Sequence, residues 1–325
     1  MKLIILALFI IISLSISSKP YSDLLNTLRE DEVNKALLNL PKRQDENLLK
    51  TCLAMKDAKE KYSLTEAESA YLIYKWFSQN IEYICSETPD NNELAMTVYN
   101  NGKGSSKGIA DLFKTICQLM NIESESISGN LRYIDYLSDY YIDIAIKIKD
   151  YNWNYIYIND EYYLIDIPNG SGGCAKTSYY RLYKDFYFAT NPDIFIREHF
   201  PKESKWQFLT ETITKEQFNS TIMLHNYFFE SGFKTISQTI NDDKETEFIL
   251  TYDELSKTFE KDYSFVIYSN GKNDEIKSKS YNNADKEIKI TYDLTDKDIN
   301  ILILGFNKGN SHESYVVAYY NINHS

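Results

Sequence analysis

Basic side chains are the minority: 35 Lys and Arg stand against 47 Asp and Glu, a formal net charge of −12. A general phosphate-binding surface needs clustered Lys and Arg, so this balance argues against nucleic acid as a partner. Cysteine is sparse, at four residues (Cys52, Cys85, Cys117 and Cys174), widely spaced and without a CxxC pair. That spacing argues against a zinc site. No Asp/Asn run has EF-hand spacing, so neither metal nor cofactor is expected. Proline is scarce at 6 beside 28 tyrosines, a composition that suits pleated strands. After the first eighteen residues no uncharged apolar run approaches the length of a membrane span. Internal repeats and low-complexity linkers are absent from the pattern. What remains is globular: hydrophobic residues make up 43% and charged residues 25% of 325. That length sets a soft expectation of two domains.

The first eighteen residues differ from the rest. Lys2 precedes an apolar run from Leu3 to Ile12, extended by Leu14 and Ile16, with Ser15 and Ser17 at the −3 and −1 positions of a cleavage site. This is the pattern of a secretory signal peptide over residues 1–18. The run is short for a ~20-residue span, which disfavours an uncleaved anchor. The mature protein is therefore expected to be exported, with no membrane span once the signal is removed. In an oxidising compartment four cysteines permit two disulfides in three connectivities, and at most one is expected here. Cys117 reads as a buried thiol on an apolar helix face. Asn169, Asn219 and Asn323 each open an Asn-x-Ser/Thr sequon and are possible glycosylation sites.

Hydrophobic periodicity divides the remainder. Residues 19–64 read as an N-terminal helical segment. Thr65 and Glu68 have capping-box spacing, and Ala70, Tyr74, Phe77 and Ile81 then recur at helical intervals. Gly102 to Gly104 form a turn, after which Ser105 and Ser106 can cap a helix. Ile109, Leu112, Phe113, Ile116 and Met120 give that helix one apolar face. Strands are expected at 127–129 and 142–148. A hairpin is expected over 153–166 with its turn at Asn159-Asp160. One helix before an antiparallel sheet is an α+β pattern. From about 225 onward short strands separated by polar loops predict a β-sandwich: 248–252, 263–268, 287–294, 300–306 and 315–320.

Four blocks in order resemble the transglutaminase-like superfamily of papain-like cysteine enzymes. Tyr74 to Tyr83 (YKWFSQNIEY) is similar to its W-I-x-x-N-I-x-Y helix end, and Lys103 to Phe113 (KGSSKGIADLF) to its G-x-C-x-G-x-A-x-L-F nucleophile block. Asn121-Ile122 through Gly129 resembles the strand that follows. Tyr151 to Asn154 and Tyr162 to Asp166 resemble the H-A-W-N and W-Y-L-x-D blocks. A fifth stretch narrows the likeness to the kyphoscoliosis-peptidase branch: Tyr187 to Pro192, Glu198-His199-Phe200-Pro201, then Trp206 to Leu209. The resemblance implies a transglutaminase-like core over 65–222 and an Ig-like sandwich over 223–325. It also implies a Cys-His-Asp triad in which a thiolate at a helix start attacks an amide carbonyl to form a thioester.

Two of the three triad positions depart from the pattern. The nucleophile position is Ser106, the histidine position is Tyr151, and only Asp166 matches. A serine hydroxyl needs a positioned base, and a phenol with a reference pKa of about 10 is a poor one. The family's fold would place Asp166 behind the histidine position, not against the nucleophile. His199 matches a structural position of the family, and His225, His312 and His324 fall in the sandwich or at the terminus, so none is expected to enter the site. Cys117 lies about three turns beyond Ser106 and cannot replace the thiol. Trp153 and Trp206 read as core, and the acidic stretches at 242–243 and 296–298 as solvated loops. The leading expectation is a secreted, catalytically inactive member that binds peptide or protein ligands in the former cleft, with Ser106 retained as a helix cap. The alternatives are an acyl-transferase or hydrolase using Ser106, and a structural component of a matrix or cell surface. The oligomeric state is not fixed by the sequence.

Overall fold

The structure is a computed structural model that describes residues 23–86, 93–136, 144–175, 177–224, 228–229, 232–240, 245–252, 263–269, 272–293, 301–308 and 314–321, with side chains from 294 onward not described. The expected signal segment, the Asn323 sequon, both acidic stretches, and His225, His312 and His324 lie outside those residues. The described residues open on helices, as the sequence predicts for this region: α1 (Asp23–Thr27), α2 (Glu30–Leu38) and α3 (Leu48–Lys61). Helix α4 (Glu66–Asn80) starts at the expected capping box, in which Thr65 Oγ1 accepts from the Glu68 amide and Glu68 Oε2 accepts from the Thr65 amide. Glu68 does more than cap, because Arg29 donates to both of its oxygens. Burial works to raise the Glu68 pKa, but the Arg29 side chain and the Thr65 and Arg29 amides bring it down to about 2.

Helix α5 (Ala95–Asn101) ends at Gly102, whose φ of +69° is the left-handed cap that suits glycine. Strand β1 (Glu82–Tyr83) pairs in parallel with β2 (Lys103–Gly104) just beyond that cap. Helix α6 (Ser106–Leu119) follows directly. Its apolar positions Ile109, Leu112, Phe113 and Ile116 are all buried, as is Cys117, whose pKa burial raises.

Among the described residues seven more strands belong to this part: β3 (Glu123–Tyr136), β4 (Ile144–Ile158), β5 (Glu161–Ile165), β6 (Gly172–Ala175), β7 (Ser178–Arg181), β8 (Phe188–Thr190) and β9 (His199–Pro201). The central sheet is antiparallel in the order β8-β5-β4-β3-β9. The predicted hairpin joins β4 to β5, and its turn residues Asn159 and Asp160 both take positive φ, 53° and 63°. That pair of angles belongs to the tight turn whose twist matches the flanking strands. Helix α7 (Ile167–Ser171) leaves β5, α8 (Pro192–Phe195) precedes β9, and α9 (Lys215–Ser220) follows. Cys85 and Cys174 form one disulfide, and Cys52 and Cys117 are free and buried, in line with the single bridge expected.

Among the described residues nine further strands follow: β10 (Met223–Leu224), β11 (Phe233–Ile240), β12 (Glu245–Tyr252), β13 (Tyr263–Ser269), β14 (Lys272–Asp274), β15 (Ser278–Asn282), β16 (Glu287–Asp293), β17 (Ile301–Lys308) and β18 (Ser314–Asn321). They make two antiparallel sheets, β10-β18-β17-β13-β14 and β11-β12-β16-β15. Phe248, Leu250, Ile288, Ile290 and Tyr292 from one sheet share a hydrophobic cluster with Phe265 and Ile267 from the other. Phe186, Tyr187 and Ile194 from the preceding part join the same cluster.

Candidate active site

Ser106 is the first residue of α6 and does not cap it. Ser105 is the cap: its Oγ accepts from the Gly108 amide at 3.1 Å. The two serines are adjacent in sequence, and only the one with extended backbone, Ser105, can fold its hydroxyl over the helix start. Ser106 Oγ accepts instead from the Asn152 amide at 3.2 Å. The sheet explains that bond. Pairing of β4 with β5 ends at Asn154 and Ile165, because β5 then turns into α7. The Asn152 amide therefore has no strand carbonyl on that side, and Ser106 supplies the acceptor. No histidine, lysine or carboxylate lies within hydrogen-bond distance of Ser106 Oγ among the described residues.

Tyr151 and Asp166 do meet. The Tyr151 hydroxyl donates to Asp166 Oδ1 at 3.0 Å, with both residues buried. Burial, together with the Asp166 carboxyl beside it, raises the Tyr151 pKa well above the ordinary phenol value. Tyr151 is therefore a fixed donor and not a base. Asp166 also caps α7, accepting from the Asn169 amide at 3.0 Å and from Asn169 Nδ2 at 2.8 Å. Asn169 is thus engaged and is a poor glycosylation acceptor, whereas Asn219 stands exposed at the end of α9.

His199 is the residue that sequence reasoning misplaced. Its Nε2 faces Asp166 Oδ2 at 2.7 Å, the geometry of an Nε2–H donor, and its Nδ1 lies 3.3 Å from the Phe195 carbonyl. The expectation that no histidine enters the site is therefore corrected. The reason is register: β9 pairs with β3 so that His199 opposes Leu131, and β3 pairs with β4 so that Gly129 opposes Tyr151. Directly opposed residues share a sheet face. Gly129 is required at this crossing, because a Cβ there would come within 2.3 Å of the Trp153 ring and 2.4 Å of the Phe200 carbonyl oxygen. His199 reaches Asp166 but makes no bond to Ser106.

The site thus contains one link of a triad and lacks the other. Four donors converge on the Asp166 carboxyl, from Tyr151, His199 and twice from Asn169, and a carboxylate offers about four acceptor sites. None is left to take a proton from a substrate. Ser106 is 4% exposed, Tyr151 2% and Asp166 0%, so a bulky acyl group has no direct approach.

A lysine that the sequence did not single out stands at the edge of this cluster. Lys149 Nζ donates to the Tyr83 hydroxyl at 3.0 Å and lies over the rings of Tyr133, Tyr83 and Tyr151 at 4.8, 5.1 and 5.5 Å. Burial lowers its pKa, opposed by the charge of Asp166. The signal available was the alternation of Lys147, Lys149 and Tyr151 along one face of β4.

Comparison with known proteins agrees with this architecture. A sequence model of the transglutaminase-like superfamily matches residues 55–167. Human kyphoscoliosis peptidase is 26% identical over 173 residues, 52% of this chain and 26% of that protein. Residues 55–167 thus match the transglutaminase-like superfamily, and about half of this chain is similar to kyphoscoliosis peptidase. The Lim and transglutaminase domain protein ltd-1 of Caenorhabditis elegans is 23% identical over 188 residues, 54% of this chain and 26% of that protein. Hillarin of Drosophila melanogaster is 23% identical over 185 residues, 52% of this chain and 22% of that protein. The likeness thus spans about a quarter of each relative's length.

Proposed function

We propose that this transglutaminase-like domain has lost acyl-transfer chemistry and serves as a binding module for a protein or peptide ligand. One observation carries the reading: among the described residues Ser106 Oγ has no base within hydrogen-bond distance, while the residue at the histidine position donates to Asp166. Proton removal from a serine hydroxyl requires a positioned acceptor, and here Tyr151, Asp166 and His199 are engaged with one another instead. A scaffold held by packing persists without its chemistry. The ligand would meet the partly exposed rim of the site, where Lys149 and Tyr133 lie, and not Ser106 itself.

We read the protein as exported. The N-terminal pattern supports this, as does a disulfide between residues 89 apart, a feature of oxidising compartments. Domain limits of 65–222 and 223–325, and an Ig-like arrangement for the second, belong to the same reading. Two antiparallel sheets sharing one apolar cluster support the sandwich, although that cluster also takes in Phe186, Tyr187 and Ile194.

The test is amine incorporation and ammonia release with a glutamine-containing protein and a labelled primary amine. Wild type, Ser106→Ala and the double variant Ser106→Cys, Tyr151→His run side by side. Silence from the wild type is expected. Turnover by the wild type that disappears in Ser106→Ala would overturn the reading and make Ser106 a nucleophile.

A further inference from the structure

A second polar recess lies at the other end of α7 from Asp166. Its volume is about 510 Å³, and its lining comes from α2 (Asn34, Leu37), α4 (Lys75, Ser78, Gln79), the last residue of α7 (Ser171), the last of β7 (Arg181), and Tyr183. That volume is within the range of small-molecule sites. Lys75, Ser78 and Gln79 fall at i, i+3 and i+4, so α4 presents them on one face. The floor is buried and the rim open: Lys75 is 7% and Ser171 4% exposed, against 37% for Tyr183.

The charged chemistry of this recess is cationic. Lys75 brings an ammonium whose side chain is 9% exposed, and Arg181 a guanidinium. Lys75 Nζ donates to Glu30 Oε1 at 2.7 Å and Asn34 Oδ1 at 3.2 Å, while its charge lies over the rings of Tyr71 and Tyr183. Arg181 Nη1 donates to the Ser78 carbonyl at 2.6 Å and its Nη2 to Glu82 at 3.3 Å. The carboxylates that balance these cations reach solvent: the Glu30 and Glu82 side chains are 57% and 51% exposed. The Arg181–Glu82 pair is exposed on both sides and worth ~0–1 kcal/mol, so Glu82 can turn to water at small cost, whereas the buried Lys75 ammonium needs an anion and would exchange Glu30 only for another one. Beneath them, the Ser171 hydroxyl is shut off from solvent and has no hydrogen-bond partner among the described residues. A buried hydroxyl left unpaired is costly, and such groups ask for an explanation.

We infer that the recess between α2, α4 and the end of α7 is a binding site for a small ligand bearing an oxyanion, a carboxylate or a phosphate. Lys75 and Arg181 would flank the anion in place of Glu30 and Glu82, and Ser171 would donate from the floor. This site is independent of the acyl-transfer question, since among the described residues the hydrogen bonds of the Ser106, Tyr151 and Asp166 side chains, apart from that between Tyr151 and Asp166, go to Asn152, His199 and Asn169 and not to the lining of the recess.

The test is calorimetric titration of the purified full-length protein with three probes: an N-acetylated dipeptide with a free C-terminal carboxylate, the same dipeptide as its C-terminal amide, and inorganic phosphate. Binding of the acid or of phosphate, and not of the amide, is expected, and the tighter of the two assigns the anion's source. Ser171→Ala and Arg181→Gln should each weaken binding about tenfold, the value of one hydrogen bond to a charged group. Ser171→Ala should not lower the unfolding midpoint, because its hydroxyl has no protein partner to lose, so weakened binding is separable from misfolding. Absence of binding by both anions, or binding indifferent to both substitutions, would overturn the assignment.

Discussion

The two ends of the candidate site are built to different standards. At Asp166 four donors meet one carboxyl, fixing Tyr151, His199 and the start of α7 at once. At Ser106 a single backbone amide meets one hydroxyl. The first end is structural chemistry, in which each partner immobilises the next. The second is one acceptor completing a sheet edge. In a working triad the same two ends must be joined by a group that takes a proton from one and is steadied by the other. Tyr151 is steadied by Asp166 and takes nothing from Ser106. The scaffolding half of a triad is thus present without its chemical half, and stability measurements should expose the asymmetry.

The largest effect is expected at the crowded end. Asp166→Ala removes the acceptor for four donors, all inside or beside the core, and breaking such a buried polar cluster costs ~3–5 kcal/mol. Chemical denaturation of the purified protein reads this directly. A loss below about 1 kcal/mol would mean the cluster contributes little beyond an ordinary hydrogen bond, and the comparison would fail.

The disulfide sharpens the comparison by bridging the two ends. Cys85 follows β1, whose partner β2 leads into Ser105, and Cys174 lies just beyond α7, which Asp166 caps. It closes a separation of 89 residues, and removing a bridge of this kind costs ~2–4 kcal/mol through the freedom it restores to the unfolded chain. The Cys85→Ser, Cys174→Ser double variant should show that loss, and peptide mapping without reductant should find Cys52 and Cys117 unpaired. A bridge mapped to any other pair would refute the arrangement.

How far the sequence foretold this site depends on the range of each contact. The helix of Ser106, the hairpin carrying Tyr151 and Asp166, and the five strands read between 248 and 320 rest on local signals, and the structure has them at nearly the expected limits. A capping box, a two-residue turn and alternation are written in a few consecutive residues. His199 was missed because its place depends on β9 pairing with β3, across more than sixty residues, and no local pattern encodes that register. Ser105 and Ser106 were interchangeable as caps in the sequence, and only the backbone angles at the helix start separate them. Lys149 escaped for the same reason as His199: three rings from three separate segments converge on it.

Between the extremes stands Tyr151. Tyr151→Phe keeps the ring, its packing and its burial, and removes only the donor to Asp166. The carboxyl retains three other donors, so the loss should be that of one buried hydrogen bond to a polar group, ~1–2 kcal/mol. An effect as large as that of Asp166→Ala would place the weight of the cluster on the phenol and undo the reading of Asp166 as its centre.

Ser106→Ala should do least. Its hydroxyl accepts one hydrogen bond of 3.2 Å, and its side chain is small enough that alanine leaves almost no void. The Asn152 amide loses its acceptor, and a buried N–H without a partner costs ~1 kcal/mol or a little more. The Ser105 cap and the apolar face of α6 are untouched, so the helix itself should keep its stability. The informative quantity is the difference between Ser106→Ala and Tyr151→Phe when the two are combined. The residues share no hydrogen bond, so their losses should add to within ~0.5 kcal/mol, as for independent sites. A triad that still linked the hydroxyl to the phenol would make the double variant markedly less costly than the sum. That coupling energy measures whether the two ends of the site communicate at all.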